Sequence, residues 1–181
     1  MRALAFAVFL GGACLAASVA SANLEMSPIS ESESRVDFSR TSLSPSAWSV
    51  LVRARYGEVV VLDKGHVTLL YSESERLAFR DSDRVDFDKW FNRLDFGGMP
   101  ADARGSTQEA KLFGGPTTYT YVASAERTCI AFRVGVGRVV LYNRGYPGHE
   151  ALLLGVLCDA GAGAEVEQAL RAEAGNITIK Y

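Results

Sequence analysis

The chain is short of the residues that usually announce chemistry. Its 181 residues hold three cysteines and two histidines, and neither His66 nor His149 has Cys, His or paired acid at metal-ligand spacing, so a zinc site is not expected and both read as surface histidines. Acids outnumber bases, 21 to 19, with no basic stripe, which argues against nucleic acid and anionic membrane surfaces as partners. Gly-x-Ser-x-Gly and Ser-x-x-Lys are both absent, leaving no motif-borne serine nucleophile. Gly161-Ala-Gly163 lacks the third glycine of a dinucleotide loop and no second strand follows with its acid; it reads as a strand-to-helix turn, and no cofactor is expected. Beyond the first 22 residues no apolar run approaches the ~20 residues of a spanning helix.

What is present begins with a leader. Arg2, the apolar run Ala3 to Ala17 and the small residues Ala20-Ser-Ala22 form the three parts of a secretory signal over residues 1–22. Two rival readings are an uncleaved membrane anchor and a lipid anchor at Cys14, but Gly11-Gly12 and the serines interrupt the first, and Gly stands where a lipobox expects Leu. The expectation is an exported protein, most simply periplasmic, soluble after cleavage. Removing 22 residues from 181 leaves 159, enough for one core and short for two.

Export leaves Cys129 and Cys158, an even count in an oxidising compartment, so a disulfide is expected. It would close a loop of 30 residues, worth roughly 3.5 kcal/mol in the chain-entropy model. The alternative roles fit poorly: Cys129 has no base adjacent in sequence, and there is no Cys-x-x-Cys spacing to lower a thiol pKa.

Along the chain, residues 23–46 carry eight serines and two prolines among several acids and read as a solvated tether, with Val36 and Phe38 as a possible short edge strand. Residues 47–56 fit both periods, and the Ser44-Pro45 start signal tips the reading to helix. Glu58 to Leu62, the turn Asp63-Lys-Gly65 and Val67 to Tyr71 make a hairpin, with Arg76 to Phe79 as a third strand. Phe87, Trp90, Phe91 and Leu94 mark one face of a helix spanning Ser82 to Phe96. The acids Asp81, Asp83, Asp86 and Asp88 belong to its start as capping groups, not to a calcium loop.

Gln108 to Phe113, Thr117 to Ala123 and the Cys129 stretch follow as strands, with Gly135 and Gly137 read as punctuation before Val139 to Tyr142. Ala151 to Cys158 is apolar almost throughout, the mark of a strand buried on both faces. A helix from Ala164 to Ala174 and an edge strand over residues 177–181 complete the chain.

One loop stands out as a recognition surface: Tyr142, Arg144, Tyr146 and His149 crowd a Gly/Pro segment inside the disulfide-closed stretch. Cys129-Ile-Ala-Phe132-Arg followed by Leu154-Gly-Val-Leu-Cys158-Asp resembles small exported proteobacterial proteins without an assigned function. That resemblance covers the last third of the chain, and it implies export and a paired-cysteine sheet. The expected architecture is a single α+β domain over residues 47–181, an antiparallel sheet of five to eight strands with two packed helices and one disulfide. The expected function is a non-enzymatic periplasmic or envelope module that binds a protein or small ligand; the rival is a hydrolase or redox enzyme whose site assembles only in the fold.

Overall fold

The computed structural model describes residues 26–51, 56–71, 79–80, 87, 90–92, 94, 96, 104–112, 115–141 and 147–180. Strands β1 (Met26–Pro28), β2 (Val36–Asp37), β3 (Pro45–Leu51), β4 (Tyr56–Leu62), β5 (Gly65–Tyr71) and β6 (Phe79–Arg80) lead into β7 (Gln108–Leu112) and β8 (Gly115–Ala123). The long strands β9 (Arg127–Leu141) and β10 (Pro147–Ala160) follow, then helix α1 (Ala164–Asn176) and β11 (Thr178–Ile179). The main sheet runs β1-β3-β4-β5-β10-β9-β8-β7, antiparallel throughout. β6 takes the edge of β10 that β5 leaves vacant, at Gly148 and His149. β2 and β11 pair as a separate two-stranded sheet.

The expected α+β class is therefore corrected. Among the described residues strand predominates and α1 is the one continuous helix, which makes the protein mostly β, built on an eight-strand antiparallel path. Two sequence signals misled. Gly135 and Gly137, read as breaks, lie inside a single 15-residue strand. There Gly137, at φ +84°, sits in a bulge where two residues of β9 oppose Glu150 of β10; a positive φ at that position suits glycine. The Ser44-Pro45 signal marks a strand start instead of a helix start. Proline lacks an N–H and is tolerated at the first residue of a strand, while the Ser44 N–H donates to Asp63 Oδ1 at 2.9 Å and the Asp63 N–H to the Ser44 carbonyl at 3.1 Å. The helix expected over residues 82–96 lies mainly outside the described residues, although Phe87, Trp90 and Phe91 are helical.

The stretch read as a tether is structural as well. β1 forms one end of the sheet, and Val36, Phe38 and Leu43 are buried in the core. The anchor is Glu58, fully buried on β4, which accepts from Ser34 Oγ at 2.7 Å and from the Arg35 N–H at 2.9 Å. Ser42 also binds the Glu173 carboxyl of α1 through its N–H and its hydroxyl. Composition alone hid this, because serines that look solvated can be spent on specific partners.

The two faces of the sheet carry separate cores. On the larger, the register aligns Trp48, Val60, Val67, Gly155, Phe132 and Tyr119 in one row across six strands. Gly155 is required there, since a Cβ would overlap the Phe132 ring; leaving it out lets Phe132 be buried completely, a contribution of about 1.5–3 kcal/mol. Leu170, Ala174 and Ile177 bring α1 and the residue after it onto this face, and Tyr121 Oη donates to the Glu167 carbonyl at 3.1 Å. The other face carries Val122, Ala131 and Val156 beneath Phe87 and Phe91, with the Arg104 guanidinium 4.0 Å from the Phe91 ring centroid.

The expected β4/β5 hairpin and the buried β10 strand are both present. The β4/β5 hairpin turns at Asp63-Lys64, and Gly65, at φ +151°, lets β5 approach the Val156 carbonyl of β10 where a Cβ would collide. β6 joins β10 instead of extending the first meander. β10 lies between β5 and β9 with residues 151–157 buried, as its unbroken apolar run requires.

Candidate functional site

The candidate site is the β9/β10 hairpin, whose two ends are built differently. At its base Cys129 and Cys158 sit directly opposite each other and are joined by a disulfide, with Cα atoms 4.0 Å apart. The Cys158 N–H donates to the Lys64 carbonyl at 2.7 Å, on the β5 side. The cysteines thus occupy a non-hydrogen-bonded position of the β9/β10 ladder, the type in which opposed residues approach most closely. The bond locks the register of the two longest strands, in which a slip by one residue would send every side chain to the wrong face.

Further ties surround that end. Thr128 Oγ1 donates to the Gly161 carbonyl at 2.9 Å and the Gly161 N–H to the Glu126 carbonyl at 2.7 Å, fastening the hairpin to the turn before α1. Gly161 and Gly163 both have positive φ, which accounts for these glycines as turn residues. Lys64 Nζ meets Asp159 Oδ2 at 2.7 Å. This hydrogen bond raises the Lys64 pKa and lowers that of Asp159; because both side chains are about a third exposed, at 29 % and 37 %, the pair is worth well under 1 kcal/mol.

Toward the other end the character changes. His149, placed by the sequence in a surface loop, is a buried residue of β10 at 6 % exposure. Its imidazole fills the space that a side chain at position 135 would occupy, so Gly135 and His149 form a knob and its socket. Two residues before Gly135 on the same strand, Arg133 is 7 % exposed, between Leu154 and Thr118 of the adjoining strands. Beyond the Gly137 bulge Val139 is 56 % exposed on β9, while Gly148 and His149 on β10 stay buried. The connection from β9 to β10 is residues 142–146. Comparison with protein-family models, with curated proteins and with solved structures finds no match.

Of the four residues expected to form a binding loop, His149 belongs to the strand, while Tyr142, Arg144 and Tyr146 lie outside the described residues. The Asp81, Asp83, Asp86 and Asp88 group also lies outside them. His66 is on β5, beside Val156 on the face that carries the aromatic cluster; burial lowers its pKa from 6.5. Among the described residues no group of three or more His, Cys, Asp or Glu side chains could hold a metal ion, and no helix is long and apolar enough to cross a membrane.

Besides His149, the buried ionisable residues Glu58 and Arg133 were missed by reading the sequence. Glu58 stands ahead of Val-Val-Val-Leu and Arg133 between Phe132 and Val134. A charged residue embedded in a strand-like apolar run was the available signal, since such a residue is either an outward-facing solvated group or a buried paired one.

Proposed function

We propose that this chain is an exported, non-enzymatic module, periplasmic or envelope-associated, that binds a protein or small ligand through the tip of the β9/β10 hairpin. The observation that carries the reading is the pairing of β9 and β10, the two longest strands described, whose base is tied by a disulfide. From Cys129 to Leu141 the strand has a contour length of about 40 Å at the usual rise. Recognition residues work best on segments held by a rigid scaffold, and the sequence of the β9/β10 connection offers Tyr142, Arg144 and Tyr146, residue types favoured at binding hot spots. Exposed Val139 at its foot adds apolar surface. The disulfide supports the export half of the proposal, because such bonds persist mainly outside the reducing cytosol.

Tyr146→Ala tests the binding half. The variant is expected to keep the wild-type unfolding midpoint and to lose the partner captured by the immobilised wild-type protein from an envelope extract. An unchanged capture profile removes the case for the tip. Mass spectrometry of the protein from its native host tests export: the expected N-terminus is Asn23 with the disulfide formed, a diacylated Cys14 would make it a lipoprotein, and an intact Met1 on a reduced product overturns the proposal.

A further inference from the structure

We draw no further inference here: the strongest candidate, the outward edge of β7 (Gln108–Leu112) at the end of the main sheet, carries nothing because nothing in the structure shows what covers it.

Discussion

Reducing the Cys129–Cys158 bond removes a constraint without removing an atom from the core, so its effect can be worked from chain statistics. The sulfurs join residues 29 positions apart, and a closed loop of 30 residues lowers the entropy of the unfolded chain by about 12 cal/mol/K, or roughly 3.5 kcal/mol at 25 °C. The native side of the balance should change little, because β9 and β10 also pair along the remainder of their length and are flanked by β8 and β5. For a chain of this size each 1 kcal/mol moves the melting temperature by about 2–4 °C. The reduced protein should therefore melt about 7–14 °C lower than the oxidised one and reach its urea midpoint earlier. Urea titrations with and without a dithiol reductant, with alkylation to verify the thiol state, measure this directly. A Cys129→Ala/Cys158→Ala variant should behave like the reduced protein, apart from a small packing loss where Cys158 meets the aromatic cluster. A reduced protein within 1 kcal/mol of the oxidised one would refute the argument, and would mean that residual structure already restricts the unfolded chain or that the bond carries an offsetting cost in the native state.

Two further outcomes follow from buried polar groups. Glu58→Ala should cost about 3 kcal/mol, because it leaves the Ser34 hydroxyl and the Arg35 N–H without their buried acceptor; hydrogen exchange at the Arg35 amide should accelerate, and unchanged protection there would show that Glu58 does not anchor the N-terminal segment. His66 should make stability depend on pH in one direction. Burial lowers its folded pKa below the ordinary 6.5, so the unfolded chain binds the proton first, and stability should fall as pH drops through about 6.5, levelling off below the folded value. Above pH 7 the residue contributes no slope. Comparing urea midpoints at pH 8 and pH 5 for wild type and His66→Gln isolates this, and an identical loss in both would assign the acid sensitivity to other groups.

How much of this was legible beforehand depends on the range of the interaction concerned. The Asp63-Lys64 turn with Gly65 placed the β4/β5 hairpin correctly, because a tight turn and two flanking β-branched runs are local information. The unbroken apolar stretch Ala151 to Leu157 located the middle of the sheet for the same reason. The helical and strand periods of Pro45 to Leu51 tie within the segment, and the tie is broken by pairing with β4 on one side and β1 on the other. The candidate site was only half visible: its aromatic and Arg residues are conspicuous in sequence, whereas the burial of His149 depends on the void at Gly135, on another strand.

By itself the sequence determined which sulfurs could pair, since Cys129 and Cys158 are the two cysteines outside the leader-like first 22 residues, and where α1 and the tight turns lie, since turn glycines and periodicity act within a few residues. Tertiary structure alone decided that residues 26–46 belong to the fold, that β9 runs unbroken through Gly135 and Gly137, and that Glu58 and Arg133 are buried. Each of those outcomes turns on a partner dozens of residues away or on the space a neighbouring strand leaves. Sheet pairing joins segments with no constraint on their separation in sequence, so the chain's local preferences proposed the elements and long-range packing selected among them.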